Sequence, residues 1–153
     1  MKGIVSKYKE LEIPIDVIWN DIDYMDGYAD FTVGKSYAGL GEYIEQCHND
    51  GMHFVPIIDA GIKVDPKDSV YAEGLAKDAF IKSAKTGKSL VGKVWPGPAV
   101  FGDFYHPDMD SVWINGFKKL NDIVKFDGVW LDMNEIANFC FGECSSHQEE
   151  DAL

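Results

Sequence analysis

The sequence is poor in basic residues, and this shortage excludes one class of partner. Its 153 residues carry 26 acidic and 14 basic side chains, a formal net charge of −12. No Lys/Arg cluster is longer than a pair, so the phosphate-neutralising contacts that drive nucleic-acid binding are missing. The composition therefore argues against DNA or RNA as a partner.

Long apolar runs and paired cysteines are also scarce. The apolar runs are too short to cross a bilayer, so no membrane segment is predicted. Residues 1–12 contain no apolar stretch of signal-peptide length and are typical of a helix. Cys140 and Cys144 lie four residues apart while Cys47 stands alone, which makes neither a disulfide scaffold nor a zinc site. The histidines show no metal-ligand spacing.

Apolar residues make up 46% of the chain, which is enough for one domain with a core. Helix-like and strand-like segments alternate along it. The predicted helices cover residues 4–11, about 37–49 and 112–124, and the predicted strands cover 13–19, 53–58 and 128–131. Such alternation predicts an α/β fold with a parallel sheet. Residues 80–83 and 89–95 flank a Gly-containing turn at 85–88, which predicts a β-hairpin.

A polar, Gly-containing loop, residues 20–34, follows the first predicted strand. It is too long for a simple connection, which indicates a functional loop. Its acidic residues suggest a calcium-binding loop as an alternative, but the spacing fails. An EF-hand counted from Asp21 needs an acid or amide fifth and glycine sixth, where Met25 and Asp26 stand.

Acidic residues follow all three predicted strands. Asp21 comes after the first strand, Asp59 after the second and Asp132 after the third, with Trp130 beside the last. The carboxyl ends of parallel strands meet at one edge, where α/β barrels place their catalytic groups. Because carboxylates form strong hydrogen bonds with hydroxyl donors, these acids predict a pocket for a neutral, hydroxyl-rich ligand.

Four segments of the chain resemble, in order and spacing, the signature segments of glycoside hydrolase family 31, which includes the α-glucosidases. They are IPIDVIWNDIDYMDGYADFT, HFVPIIDAGI, GKVWPGPAVFGDF and GVWLDMNEIANFC. The resemblance covers almost everything from Ile4 to about Cys144. It implies a partial (β/α)8 TIM barrel, namely strands 2 to 4 with their helices and a β-hairpin excursion. Gly102 and Ile114 depart from the family pattern, which affects packing more than chemistry.

The resemblance also implies catalytic roles. Asp132 matches the family's nucleophile, which attacks the anomeric carbon in a retaining mechanism. Glu135 belongs to the same motif and is expected to orient its neighbours. Its alternative role is to cap a helix that starts near Asp132.

The implied substrate contacts come from all four segments. Asp21 matches the aspartate that binds hydroxyls of the cleaved sugar, and Asp59 is expected to add polar lining. Trp95 and Trp130 match aromatic residues that stack on the sugar. The pocket wall is expected to include Ile22, Ile58 and Met133. Two other tryptophans, Trp19 and Trp113, are predicted to lie in the core.

The implied domain organisation is incomplete. Residues 1–144 correspond to the N-terminal half of a family 31 catalytic domain, and residues 145–153 are expected to form an acidic, disordered tail. In the family, the general acid/base lies on a later strand, which places it beyond Leu153 in the missing remainder of the barrel. No cofactor is needed.

Cys140 and Cys144 resemble a pair found in secreted and vacuolar family members. Either a local disulfide or two free thiols would fit the sequence. The implied location of the full-length protein is the secretory pathway, a vacuole or lysosome, or the endoplasmic reticulum lumen.

The predicted function is retaining hydrolysis of terminal α-glucosidic bonds in oligosaccharides by the parent protein, with the fragment alone inactive. One alternative is a non-catalytic carbohydrate-binding or inert fragment, and another is an α-xylosidase or transglycosylase of the same family. An unrelated phosphatase could use Asp21 and Asp23, but no phosphate-binding lysine or threonine pattern accompanies them.

Overall fold

The computed structural model describes residues 1–144, so the predicted tail at 145–153 lies outside the described residues. The α-helices and strands, in chain order, are α1 (Lys2–Glu10), β1 (Val17–Asn20), α2 (Leu40–Asn49), β2 (His53–Asp59), β3 (Gly61–Lys63), α3 (Ser69–Ala76), β4 (Val91–Val94), β5 (Gly97–Phe101), α4 (Met109–Ile123) and β6 (Trp130–Asp132). Two short 3-10 helices, Ile22–Tyr24 and Lys35–Tyr37, lie between β1 and α2. None of these helices is both long enough and apolar enough to span a membrane.

The main sheet contains three parallel strands in the order β1, β2, β6. Helix α2 connects β1 to β2, and α4 precedes β6. Parallel strands need such crossover connections, so the predicted alternation of strands and helices is confirmed. The first strand begins at Val17, four residues later than predicted, and ends at Asn20, one residue later than predicted.

A second, antiparallel sheet in the order β3, β5, β4 forms the excursion between β2 and α4. Strands β4 and β5 are joined at Trp95 and Pro96, and Gly97 takes φ 92°, which favours glycine. The predicted turn at residues 85–88 is also present. An antiparallel bridge joins Lys82 to Ser89, and Ser83 N–H donates to Lys88 O while Leu90 N–H donates to Ile81 O, both at 2.8 Å. The regular hairpin of the excursion is the one formed by β4 and β5.

The core lies between the main sheet and the helices. Helices α2 and α4 bury the apolar stripes that the sequence predicts, and these stripes belong to one cluster with strand residues such as Phe54 and Ile58. Complete burial of one such side chain contributes roughly 1.5–3 kcal/mol. The stripe of α1 is different, because Ile4, Tyr8 and Leu11 are exposed and only Val5 is buried.

The opposite face of the main sheet is open. Val17, Trp19, Val55 and Trp130 line a depression of about 420 Å³ on this face. Trp19 is 60% exposed, so its predicted place in the core was wrong. Side chains alternate between the two faces of a strand. Trp19 pairs with Val55 in the ladder, and both side chains lie on the open face, whereas the side chain of the neighbouring Ile18 lies on the buried face.

The alternative left open for the cysteines is settled by a disulfide between Cys140 and Cys144, whose Cα atoms are 5.4 Å apart. Cys47 is a buried free thiol on α2. The disulfide closes the short turn that ends the described chain.

Candidate active site

The three predicted acids meet at one edge of the main sheet. Asp59 and Asp132 are the last residues of β2 and β6 and are Cα partners in the ladder. Asp21 directly follows Asn20, the last residue of β1. Because all three strands run parallel, their carboxyl ends lie side by side, as the sequence predicts.

Asp59 is the buried member of this trio, with 3% of its surface exposed, whereas Asp21 and Asp132 are exposed. Burial raises the pKa of Asp59 to about 6, and the negative charges of Asp132 and Asp21 act in the same direction. The site therefore combines exposed carboxylates with one carboxyl group that is partly protonated near neutral pH.

The raised pKa of Asp59 predicts a pH dependence of stability. The native state holds this proton more tightly than the unfolded chain, so its contribution to stability is complete below about pH 4 and is lost as pH rises to about 6. Asp59→Asn should remove that loss and stabilise the chain at pH 7 by about 1–3 kcal/mol relative to the wild type. Urea denaturation at pH 4, 5, 6 and 7 measures the effect. Equal pH dependence in both proteins would contradict it.

The backbone turns sharply just after Asp132. Met133 has φ 61°, which is uncommon for a residue with a side chain and is typical of functional sites. Met133 is partly buried and packs against a small cluster formed by Val94, Ala99 and Phe101. This packing holds the end of β6 against the excursion.

Glu135 is exposed two residues beyond this turn. Residues 133–144 contain no helix, and the local backbone hydrogen bond runs from Ala137 N–H to Met133 O at 3.1 Å. The alternative role of Glu135 as a helix cap thus has no helix to act on. Its supporting role in catalysis stays a prediction.

The segment after β6 is hydrogen-bonded to strand β4. Phe139 N–H donates to Lys93 O at 2.9 Å, and Cys144 N–H donates to Val91 O at 3.0 Å. The Asn138 side chain adds a bond, because its Oδ1 accepts from Lys93 N–H at 2.9 Å. These three hydrogen bonds bind the two segments together.

Trp95 joins the site through this segment. Its ring meets that of Phe139 edge to face, with centroids 5.0 Å apart, and both side chains are exposed. Phe139 was not among the predicted site residues, although it stands seven residues after Asp132 in the same signature segment. Trp130 is partly buried and meets Trp19 edge to face at 5.3 Å.

The predicted wall residues occupy different environments. Ile22 is partly buried, and its N–H donates to Oδ1 of Asp21 at 2.8 Å. Ile58 is fully buried in the main core. Alternation along β2 places Ile58 on the face opposite Asp59 and Ile57 on the same face as Asp59. The structure brings the other predicted site residues to the sheet edge or the excursion beside it, but it does not bring Ile58 there.

The geometry also limits what the acids can do. Asp59 has a protonation range suited to a general acid. However, Asp59 and Asp132 stand on neighbouring strands, whereas the two carboxyl groups of a retaining glycosidase flank the scissile bond. Asp59 therefore does not face Asp132 in the way that such a second carboxyl group would. Within residues 1–144, no group of three His, Cys, Asp or Glu side chains could hold a metal ion.

Comparison with known proteins adds independent evidence. Residues 1–153 match the family model described as the glycosyl hydrolases family 31 TIM-barrel domain. The chain is 42% identical over 148 residues to Alpha-xylosidase 1 of Arabidopsis thaliana, covering 95% of this chain and 16% of that protein. It is 39% identical over 145 residues to an Alpha-glucosidase of Hordeum vulgare, covering 91% and 16%.

A solved structure gives the same result. The chain is similar to a Family 31 alpha-glucosidase from Bacteroides thetaiotaomicron, with a TM-score of 0.77 and 37% identity, covering 94% of this chain and 24% of that one. The chain thus spans about a sixth of the length of the curated relatives, which each match over 16% of their own length.

Proposed function

The chain belongs to glycosyl hydrolase family 31, and on that premise we propose that its parent protein hydrolyses terminal α-glucosidic bonds in oligosaccharides with retention. Family membership confirms the predicted resemblance, and the match to the TIM-barrel domain confirms the predicted partial barrel. The three parallel strands within residues 1–144 form an open sheet and not a closed barrel.

One observation carries the proposal. Asp132 is the exposed last residue of β6 and the ladder partner of Asp59, two residues after Trp130 and directly before Met133. An ionised carboxylate in this position can attack an anomeric carbon and form a covalent glycosyl intermediate, which water then hydrolyses. We assign the nucleophile to Asp132 for this reason.

The remaining roles follow from side-chain chemistry. Asp21 and Asp59 accept hydrogen bonds from hydroxyls of the sugar, since charge-assisted bonds are stronger than neutral ones. Trp95 and Trp130 offer aromatic faces for the apolar side of a pyranose, with Ile22 and Met133 as wall residues. Glu135 supports the nucleophile. Ile58 supports the pocket wall indirectly, from its place in the core.

The general acid/base is proposed to come from the remainder of the parent protein. Residues 1–144 would then be the N-terminal half of the catalytic domain. The neighbouring acids Asp21 and Asp59 cannot replace the missing group, because they share one edge with Asp132 instead of facing it across the scissile bond.

An α-xyloside is the second candidate substrate, because the Arabidopsis relative at 42% identity is named Alpha-xylosidase 1. Assays of the full-length protein with aryl α-glucoside and aryl α-xyloside separate the two. A higher kcat/KM for the glucoside supports the proposal, a higher value for the xyloside selects the second candidate, and no turnover of either contradicts both.

The 153-residue chain alone is expected to release no aryl alcohol from an aryl α-glucoside, because Asp132 lacks an acid across the bond. Calorimetric titration of the same sample with maltose then separates a weak sugar binder from an inert fragment. The matched control is the Asp132→Asn chain. Turnover by the wild-type chain that Asp132→Asn abolishes would refute the expectation.

A further inference from the structure

Asp30 is a buried carboxyl group beneath the candidate site that has no role in the scheme above. It lies in the loop after β1 and is 6% exposed. Its Oδ1 accepts a hydrogen bond from Asp59 N–H at 2.8 Å. Within residues 1–144, Asp30 Oδ2 and Asp59 Oδ1 are both buried and lack a hydrogen-bond partner. A buried polar atom without a partner is costly, so this pair calls for an explanation.

The conformation of the loop after β1 directs the Asp30 side chain into the interior. Thr32 Oγ1 donates to Ala29 O at 2.5 Å and accepts from Asp26 N–H at 2.9 Å, which closes a compact turn around Asp30. Phe31 then takes φ 61°, an uncommon conformation for a bulky residue. Because Phe31 is itself fully buried, two successive side chains enter the interior.

The surroundings of Asp30 favour its neutral form. Burial raises the pKa of Asp30 well above its ordinary range; the hydrogen bond from Asp59 N–H opposes the rise, and the charges of Asp59 and Asp68 add to it. Burial also raises the pKa of Tyr24, with Asp30 and Asp59 acting in the same direction. Asp68 itself pairs with Lys119 at 2.8 Å. A neutral carboxylic acid can donate a hydrogen bond as well as accept one.

We propose that Asp30 is a positioning residue for the sugar site. It acts as a neutral acid that accepts from Asp59 N–H with one oxygen and donates to the unpaired carboxylate oxygen of Asp59 with the other. This double contact fixes the end of β2 and leaves the second carboxylate oxygen of Asp59 for the ligand. The sugar-binding part of the inference rests on the proposed function, whereas the pairing of Asp30 with Asp59 does not.

The pairing is tested without any sugar by comparing the wild-type chain with Asp30→Asn. Asparagine keeps an acceptor and a donor but cannot ionise. The wild type should lose stability relative to Asp30→Asn as pH rises above about 4, by about tenfold in the unfolding constant per pH unit until Asp30 ionises. Because the charge of Asp59 acts on Asp30, the comparison reports the titration of Asp30 together with its coupling to Asp59.

Asp26→Asn is the matched control, because Asp26 is an exposed aspartate of the same loop. Its unfolding constant should keep the wild-type pH dependence within about twofold. A ratio between wild type and Asp30→Asn that stays constant from pH 4.5 to 7 would overturn the pairing. The unfolding constants come from urea denaturation at each pH.

The positioning role is tested by kinetics of the full-length protein. Asp30→Asn should keep kcat/KM close to the wild-type value, whereas Asp30→Leu, which removes the acceptor for Asp59 N–H, should lower it roughly 10²-fold. Equal losses in both variants, or none in Asp30→Leu, would overturn the role. If Asp30→Leu does not fold, loss of activity in Asp30→Asn alone overturns it, and retained activity supports it. If the wild type has no glycosidase activity, the proposed function fails and the pH comparison alone decides the pairing.

Discussion

Asp132→Asn is expected to lower kcat of the full-length protein by roughly 10⁴-fold or more, the usual scale for removal of a nucleophile. The substitution preserves shape and removes the carboxylate that is proposed to attack the anomeric carbon. Asp132 is exposed at the end of β6, so its replacement should leave the core intact. Initial rates with an aryl α-glucoside measure the effect.

The control for this substitution is Asp122→Asn, which changes an exposed aspartate on α4. It should keep the wild-type rate. Mass spectrometry of protein incubated with a slowly hydrolysed glycoside adds a direct test, because a covalent intermediate adds one glycosyl unit to the peptide that carries Asp132. A label on another peptide, or near-normal turnover by Asp132→Asn, would remove Asp132 from the mechanism.

Phe31→Ala is expected to destabilise the chain by about 3–5 kcal/mol, because the ring is fully buried and its removal leaves a cavity. The ring meets Trp113 and Phe117 of α4 edge to face, each at 5.3 Å between centroids. A Cβ added at Gly116 would lie only 2.7 Å from it. Loss of several kcal/mol is a large share of the stability of an ordinary domain. Urea denaturation at constant pH measures the loss.

Phe141→Ala is the matched control, because Phe141 is fully exposed near the end of the described chain. It should change the free energy of unfolding by no more than about 0.5 kcal/mol. Similar effects of the two alanine substitutions would show that Phe31 does not anchor the loop after β1. The same loop carries Asp21 and Asp30, so a large effect of Phe31→Ala also predicts weaker sugar binding.

The main sheet and its two long helices were predictable because their signals are local. Leu40 and Ile44 repeat at helical spacing on α2 and are both buried, and α4 shows a comparable stripe. Asp59 and Asp132 were found because each directly follows a strand-like run. The excursion was less predictable. Helix α3 contains Gly74, which interrupts the pattern but is required by packing, since a Cβ there would lie 2.3 Å from the Phe80 ring.

Asp30 and Phe139 show what the residue pattern could not reveal. Asp30 sits in a polar loop and has the local appearance of a solvated aspartate, but docking of Phe31 on α4 buries it. Phe139 becomes part of the candidate site only through its ring contact with Trp95, a residue far away in sequence. Both features arise from tertiary contacts, and the spacing of apolar residues along the sequence carries no information about such contacts. The placement of Trp19 on the open face has the same origin, because only strand register determines its side.

The bonds between β4 and the segment after β6 matter for protein engineering. Phe139 and Cys144 take backbone partners from β4, and Asn138 fills the space that a Cβ on Gly92 would occupy, 2.8 Å away. A chimaera that exchanged only residues 133–144 between relatives would place an unmatched segment against β4. Residues 91–101 and 133–144 therefore form one transferable cassette, and substrate preference should be redesigned in both parts together.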